Sequence, residues 1–401
     1  MSAKAEHRVW IAFEKEKYYK HRRKSKRVRS AERRGRTHMS IIIDGMDNTK
    51  SRVPKPFRHS KATDSLFAQQ IYVTGIMHHG GDVPVSVRLA DERLPKDSNA
   101  TIDSICHALR TAQDGKPHEP LPDVLYLQLD NCGGENKNRH VLFFCALLVG
   151  VGLVKKVKLS FLPVGHTHED IDQLFSRFAE LLRRNDVITM QDLITILTES
   201  YTTKGTSHRP AVHVVDTQPD YKSWFAEDLP KFQNITEARV FRFVLDDAGV
   251  VRLTVRNEMV TTRKKESTNQ WFVEDGYAIV SQEKALEIWR RPMRFVPLRP
   301  LPIDDISKTI DAYETNNETS QANIASWRER IAGMIHADDA ECADCLRLMR
   351  ADATTHQVYL HLIREIMWLT MTYSCMCFIF VSVCAFACAH VISMCSMGHV
   401  E

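Results

Sequence analysis

Two short apolar segments that each end in an aspartate constrain the fold of this chain most strongly. The first runs from Met39 to Asp44 and the second from Val124 to Asp130. Both are continuous and rich in Ile or Leu, a pattern typical of strands that are buried on both faces of a sheet. The sequence therefore predicts an α/β (α+β) protein in which two buried strands carry a carboxylate at their C-terminal ends.

The segments around these strands predict a hairpin and several helices. Ile71–Met77 and Val83–Leu89 flank a turn that contains two glycines, and Asn99–Thr111 has the apolar spacing of a helix. A helix, a strand and a further helix are predicted over about 138–149, 156–164 and 168–184. The order strand, hairpin, helix, strand, helix, strand, helix resembles that of the ribonuclease H-like fold, a mixed sheet flanked by helices.

Shifts in composition divide the chain into five regions. With 43% apolar and 26% charged residues, the chain has an ordinary globular composition, which argues against a mostly disordered or coiled-coil protein. A polar stretch near Thr202 separates the core from a strand-rich segment. The predicted regions are a basic helical arm (1–36), the ribonuclease H-like core (37–200), a small separate β-rich domain (205–302), a helical or linker region (303–362) and a hydrophobic segment (366–397).

A strongly basic segment precedes the core. Lys15 to Arg36 contains 12 Lys or Arg residues and only two acids, Glu16 and Glu32. Such a segment is typical of contacts with nucleic acid phosphates or of a nuclear import signal, and the alternative is a solvated helix face. The sequence thus predicts DNA as a partner. The candidates for nucleic-acid binding are Lys20, Arg22, Arg23, Lys24, Lys26, Arg27 and Arg29.

The C-terminal segment allows two interpretations. The 32 residues from Ile366 to Met397 lack Lys, Arg, Asp and Glu, and this length suffices for a helix that crosses a bilayer. The segment is either a membrane tail anchor or translated flanking sequence. Because the N-terminus has early charges and no apolar signal-peptide core, the expected location is nuclear or cytoplasmic, with a tail-anchored membrane protein as the alternative.

The acids at the strand ends suggest metal chemistry. Asp44, Asp130 and an acid at the start of the last core helix would meet at one edge of the sheet, where like charges repel unless cations neutralise them. Mg²⁺ or Mn²⁺ suits a site made of carboxylates. Two such ions stabilise the attacking and leaving oxygens of a phosphoryl displacement. The alternative is that each acid only ends a strand or caps a helix.

Three acids compete for the third position. An apolar stripe runs from Ile171 to Leu182, and at about 100° per residue Asp172 lies at one edge of it, where it can face a cleft beside the sheet. Asp170 lies at the other edge and is expected to be used in a capping box with Thr167. Glu169 points outward but stays an alternative, because helix starts shift by a residue or two. We predict Asp172 as the third acid, with Glu169 and Asp170 as alternatives.

Three motifs carry a resemblance to a known group of proteins. They are Ser40–Lys50, Leu127–Arg139 with its Asp-Asn-Cys-Gly-Gly-Glu-Asn run, and Phe161–Arg177 with its Gly-His-Thr-His-Glu-Asp run. Together they resemble the integrase-like domain of uncharacterised, transposon-derived eukaryotic proteins. That domain is similar to DDE-type transposases and retroviral integrases, so the resemblance, which covers about residues 37–187, implies a ribonuclease H-like core.

The resemblance implies a role for each matching residue. Asp44, Asp130 and Asp172 would be the catalytic metal ligands, and His166 would lie near the metals or the scissile phosphate. Residues expected next to the ligands are Asp47, Asn131, Glu135 and His168. The implied function is a transposase-like protein that cleaves or transfers DNA phosphodiester bonds with two Mg²⁺ or Mn²⁺ ions.

Two other functions stay open from the sequence. His166-Thr-His-Glu-Asp170 matches the start of the metal site of metallo-β-lactamase-type zinc hydrolases, but Ile171 stands where that family has a histidine. A catalytically inactive, domesticated remnant that binds nucleic acid or protein is favoured by the missing Cys/His-rich zinc region upstream. The sequence leaves open the target DNA, the role of the β-rich segment and whether the chain forms a homo-oligomer.

Overall fold

The computed structural model describes most of the chain before its C-terminal segment. The described residues are 3–26, 37–58, 60–63, 65–113, 121–161, 170–201, 208–232, 235–256 and 276–339. Residues 1–334 form one compact unit and residues 335–401 a second. Of the second unit, only 335–339, the end of a helix, are among the described residues.

The described part of the chain contains ten strands, nine helices and two short 3-10 turns. The strands are β1 (His38–Gly45), β2 (Arg52–Val53), β3 (Gln69–His79), β4 (Val85–Asp91), β5 (Val124–Leu129), β6 (Lys156–Phe161), β7 (Ala211–Val215), β8 (Val240–Leu245), β9 (Val250–Arg256) and β10 (Tyr277–Ser281). The helices are α1 (Ala3–Lys26), α2 (Ser98–Gln113), α3 (Arg139–Gly150), α4 (Asp170–Arg184), α5 (Met190–Glu199), α6 (Tyr221–Trp224), α7 (Gln282–Trp289), α8 (Ile303–Thr315) and α9 (Gln321–Asp339). The 3-10 turns are Asn48–Lys50 and Ala226–Asp228.

All ten described strands belong to one mixed sheet. Nine of them follow the order β10-β9-β8-β6-β5-β1-β3-β4-β7, and β2 pairs with β3. Strands β1, β5 and β6 are parallel neighbours, whereas β3 runs antiparallel to β1. The carboxyl ends of β1, β5 and β6 therefore meet at the same edge of the sheet.

Alternation along the strands separates two apolar layers. In β1, Ile41 and Ile43 belong to one layer and Ile42 to the other. The first layer packs against α2, α3 and α7, and α3 is buried along almost its whole length. The second layer packs against α4, α5, α8 and α9, and it includes Tyr18 of α1. As a result, α3 and α4 lie on opposite faces of the same sheet.

The central elements agree with the predictions. Strand β1, the β3–β4 hairpin, α2, β5, α3, β6 and α4 occur in the predicted order and near the predicted bounds. A mixed sheet flanked by helices is therefore confirmed. The predicted start of the last core helix at His168 lies outside the described residues, among which α4 begins at Asp170.

The segment predicted as a separate β-rich domain over 205–302 is arranged differently. Strand β8 pairs with β6, and β9 and β10 extend the same sheet. These residues also lie in the same compact unit as the predicted core. Because β6 would otherwise leave its backbone groups open at a sheet edge, β8 completes its hydrogen bonding. The segment is thus an extension of the core sheet.

Three further elements are an unpredicted strand and two helices near the end of the described chain. Strand β7 was not predicted; it pairs parallel with β4 at the far edge of the sheet. Helices α8 and α9 lie in the predicted helical or linker region. None of the described helices is long and apolar enough to cross a membrane. The hydrophobic segment over 366–397 lies outside the described residues.

Candidate functional site

Two of the predicted acids lie at the ends of neighbouring strands. Strands β1 and β5 are parallel, and Ile43 is paired with Leu129. Asp44 immediately follows Ile43, and Asp130 immediately follows Leu129. The two carboxylates therefore come to the same edge of the sheet, about one strand spacing apart. Ile43 belongs to the layer under α3. Alternation therefore turns Asp44 toward the face on which α4 packs.

A glycine lets α4 approach this edge. Gly75 of β3 is paired with Asp44 across the antiparallel β1–β3 ladder. A Cβ at this position would stand 3.0 Å from two ring atoms of Phe175 and 3.5 Å from Cδ1 of Ile171. The ring of Phe175 therefore lies directly over the backbone of β3. Asp172 follows Ile171 and is carried to the acid end of β1 by this contact.

The pKa of Asp44 reports that the three acids share one environment. Burial, together with the negative charges of Asp130 and Asp172, raises the pKa of Asp44 to about 7, and the backbone N–H of Gly45 opposes the rise. The Lys96 ammonium acts in the opposite direction. The charges of the three acids therefore act on one another across this edge. We call Asp44, Asp130 and Asp172 the acid edge.

Lys96 is a residue at this site that the sequence reasoning missed. A Cβ at residue 45 would stand 3.1 Å from the Lys96 Nζ, so the ammonium lies against Gly45. The same Nζ lies 3.6 Å from Oε2 of Glu135, a predicted neighbour of the ligands. A single lysine in the loop after β4 carries no motif. Only the folded chain reveals its position.

The loop after β5 presents further oxygen atoms beside Asp130. The backbone N–H of Asn131 donates to the Asp130 carboxylate. Among the described residues, the side-chain Oδ1 of Asn131 is buried without a hydrogen-bond partner. A Cβ at Gly133 or Gly134 would meet no atom within 4 Å. The two glycines thus border open space rather than a close backbone approach.

The donor set of the acid edge fits a hard divalent cation. Mg²⁺ and Mn²⁺ prefer carboxylate and amide oxygens, and the unpartnered Asn131 Oδ1 is such an atom. In the part of the chain that the structure describes, however, no three His, Cys, Asp or Glu side chains stand close enough together to hold one ion. The three acids are near enough to repel one another, and an ion would need to draw them closer.

Asp170, an alternative for the third acid, has a different role. The Tyr18 hydroxyl of α1 donates to its Oδ1 over 2.7 Å, and Arg22 Nη2 lies 3.1 Å from its Oδ2. Nε2 of His79 on β3 lies 3.6 Å from the same Oδ2. Asp170 therefore ties α1 to the sheet. Its predicted capping partner, Thr167, lies outside the described residues.

Of the remaining predicted residues, Asp47 makes contacts within its own turn, and the others lie outside the described residues. Asp47 accepts hydrogen bonds from the backbone N–H and hydroxyl of Thr49, as the N-cap of a 3-10 turn. His166, His168 and Glu169 lie outside the described residues. The zinc-hydrolase alternative needs Asp170 as a ligand. Its carboxylate is instead paired with Arg22, which counts against that function.

The basic arm contains helix α1, and the second half of this helix packs on the sheet. In α1, Tyr18, His21 and Ser25 are buried against the sheet. Of the predicted nucleic-acid contacts, Arg22 is engaged with Asp170. Lys20, Arg23 and Lys26 are exposed, and Lys24 is half-buried. Arg27 and Arg29 lie outside the described residues.

Half of the chain matches the model of a protein family. A domain of unknown function (DUF7869) matches residues 61–261, half of the 401-residue chain. The chain belongs to this family. The DUF7869 match includes Asp130 and Asp172, whereas Asp44 and α1 precede it. No curated protein and no solved structure matches the chain.

Proposed function

We propose that this protein is a transposon-derived, integrase- or transposase-like protein that cleaves or transfers phosphodiester bonds of DNA. The observation that carries the proposal is the acid edge, where Asp44, Asp130 and Asp172 lie close enough to shift a pKa. Carboxylates that come from two strands and a helix to one sheet edge suit a cation-dependent site better than three separate caps.

The chemistry follows from the charge at this edge. Asp44, Asp130 and Asp172 would hold Mg²⁺ or Mn²⁺, which when bound in pairs stabilise the attacking and leaving oxygens of an in-line displacement. Asp44 is half-buried, which limits access of water to its carboxylate. Lys96 adds a fixed positive charge beside Asp44. Water or a 3′-hydroxyl would attack, so no protein nucleophile is needed.

The element order supports the finer part of the proposal, a ribonuclease H-like fold. The described chain runs strand with acid, hairpin, helix, strand with acid, helix, strand, helix with acid. This order agrees with the element order from which the fold was predicted. A nuclear or cytoplasmic location and any homo-oligomer stay predictions, as does the membrane anchor over 366–397.

A second candidate function is an inactive remnant that binds DNA without cutting it. One observation favours it: the Lys96 ammonium already lies beside Gly45 and Glu135 and partly neutralises the acids. In this alternative the acid edge is a structural cluster that lysine and protons stabilise. Nicking activity separates the two candidates.

The test is nicking of supercoiled plasmid by the full chain with Mn²⁺ or Mg²⁺. Asp130→Asn should abolish nicking, because the substitution removes a carboxylate from the acid edge while keeping the shape of the side chain. The matched control is Asp123→Asn, just before the opposite end of β5, where the carboxylate pairs with Lys155 at 3.1 Å. The control should nick like the natural chain.

Either of two outcomes would contradict the proposal. Nicking that survives in Asp130→Asn would come from a contaminant or from another site. Absence of nicking in the natural chain, with duplex DNA still bound, would favour the inactive remnant. Thermal unfolding of each variant checks that lost nicking is not lost folding.

A further inference from the structure

A basic cleft lies between α1 and the open face of the sheet. It has a volume of about 290 Å³, and seven of its nine lining residues are Lys or Arg. The helix contributes Lys17, Lys20 and Lys24. These residues recur every three or four positions, so they share one side of α1. The predicted basic arm therefore forms one wall of the cleft.

The other wall is made by strands that are far apart in sequence. Lys158 of β6 is paired with Tyr126 of β5 on one side and with Arg242 of β8 on the other. Side chains paired across strands point to the same face. Lys156 of β6 and Arg256 of β9 line the same cleft. This face of the sheet extension is basic, whereas the opposite face is the apolar layer under α3.

The charge of the cleft is strong enough to act on a buried neighbour. His21 of α1 stacks on the Tyr126 ring with a centroid distance of 3.9 Å. Burial, together with the positive charges of Lys158, Lys24 and other nearby cations, lowers the pKa of His21 to about 2. An anion in the cleft would relieve this repulsion.

The lining favours phosphates over bases. Sites for single strands add exposed aromatic rings on which bases stack. The aromatic ring in this lining is Tyr126, which is only 9% exposed and stacks on His21 and His38. Lysine and arginine side chains that approach from two sides instead suit the backbone of a duplex, whose bases are inside.

We propose that the cleft between α1 and strands β5, β6, β8 and β9 binds the phosphodiester backbone of double-stranded DNA. The inference rests on the proposed function for its choice of DNA. Tyr126 and Asp130 are four residues apart along β5, which corresponds to about 13 Å. A duplex rises 3.4 Å per base pair, so backbone bound in the cleft is about four base pairs from the acid edge.

The test is binding of a short fluorescein-labelled DNA duplex to the full chain, followed by anisotropy in EDTA across a salt series. The cleft variant carries Lys20→Gln, Lys156→Gln and Lys158→Gln. Its salt slope should fall by about 3, and its affinity near 0.1 M salt by about 100-fold or more. Lys20→Gln alone, on an exposed helix position, should lower the slope by about 1.

The control variant removes the same charge elsewhere. It carries Arg184→Gln, Lys308→Gln and Arg328→Gln, on α4, α8 and α9, where each cation pairs with a nearby carboxylate. Because salt screens distant charges, its affinity should change by less than about threefold. Equal losses in both variants, or no loss in the cleft variant and Lys20→Gln, would overturn the proposal.

Two further arms separate this inference from the proposed nuclease. Asp130→Asn should bind the duplex in EDTA at least as tightly as the natural chain, because it removes a negative charge near the phosphates. If the cleft variant loses binding and the natural chain does not nick, the nuclease proposal fails and the cleft proposal stands. If the cleft variant nicks like the natural chain, the cleft proposal fails and the nuclease proposal stands. Single-stranded DNA or an RNA duplex that binds about tenfold tighter than duplex DNA, through the same lysines, would overturn the assignment to double-stranded DNA.

Discussion

The acid edge and the basic cleft lie along the same strand, β5, and hold opposite excesses of charge. At the acid edge, burial and two neighbouring carboxylates raise the pKa of Asp44 to about 7. In the basic cleft, burial and the surrounding cations lower the pKa of His21 to about 2. In both regions burial acts first, and the neighbouring charges shift the pKa in the same direction.

This difference in charge indicates which kind of ligand would stabilise each region. A cluster of carboxylates is stabilised by cations, and a cluster of lysines and arginines by anions. A nucleic acid that arrives with divalent cations supplies both at once. The comparison therefore supports one continuous surface for DNA, on which the cleft binds the backbone and the acid edge receives the bond to be cut.

The largest expected effect is a loss of nicking, and it should distinguish Asp172 from Asp170 in the first turn of α4. Asp172→Asn should reduce nicking by at least about 1,000-fold, or about 4 kcal/mol of activation free energy, because it removes a carboxylate of the acid edge. Asp170→Asn should keep nicking per folded molecule. It should instead lower the free energy of unfolding by about 1–3 kcal/mol, because Arg22 and Tyr18 lose a charged partner.

Plasmid nicking and urea unfolding of both proteins measure this contrast. The reverse result, with activity lost in Asp170→Asn and stability lost in Asp172→Asn, would exchange the roles of the two acids. It would also remove Asp172 from the acid edge.

The pH dependence of stability should differ in sign between the two regions. The folded-state pKa of Asp44 lies above its ordinary 3.8, so the native chain binds the proton more tightly and loses stability as the pH rises from about 4 to about 7. Without divalent cations and above pH 7, the free energy of unfolding of Asp44→Asn should therefore be about 4 kcal/mol higher than that of the natural chain. Adding Mg²⁺ should stabilise the natural chain but not this variant.

His21 should show the opposite trend. Its folded-state pKa lies below the ordinary 6.5, so its contribution is complete above about pH 6.5 and declines as the pH falls. At pH 5 the natural chain should have lost about 2 kcal/mol through this group, and His21→Gln should lose less. Urea unfolding between pH 5 and pH 8 measures both variants. Parallel curves for all three proteins would contradict the opposite charge environments.

The sequence predicted the acid edge because its signals are local. Strands β1 and β5 are continuous apolar runs, and the acid after each run is visible without a structure. The stripe on α4 correctly placed Ile171 and Phe175 in the core. The role of Asp170 could not be predicted, since its partners Tyr18 and Arg22 come from a helix far away in the chain.

The basic cleft could not be predicted for the same reason. Lys20 belongs to a charged segment that stands out in the sequence, but Lys158 and Arg242 are isolated residues on short strands. Lys158 shares a face with Tyr126 because β6 pairs with β5, and Arg242 joins them only because β8 pairs with β6 rather than starting a separate domain. Strand pairing over long sequence separations leaves no periodic signal in either segment.

The smallest expected effect concerns the link between α1 and the sheet, on which the cleft depends. Tyr18→Phe removes the hydroxyl that donates to Asp170 and lies 2.8 Å from Nε2 of His79. The free energy of unfolding should fall by about 1–2 kcal/mol, since a half-buried charged acceptor loses its donor. Tyr19→Phe is the matched control, because Tyr19 is 39% exposed and should change stability by less than about 0.5 kcal/mol.

Duplex binding by the same two variants links this contact to the cleft. If the hydroxyl holds the helix wall in position, Tyr18→Phe should also weaken duplex binding by a few-fold, about 1 kcal/mol or less, and Tyr19→Phe should not. Nicking per bound duplex should be equal in both variants, because neither tyrosine belongs to the acid edge. A loss of nicking at saturating duplex in Tyr18→Phe would mean that α1 also positions α4, through Asp170, and that the two regions are one site.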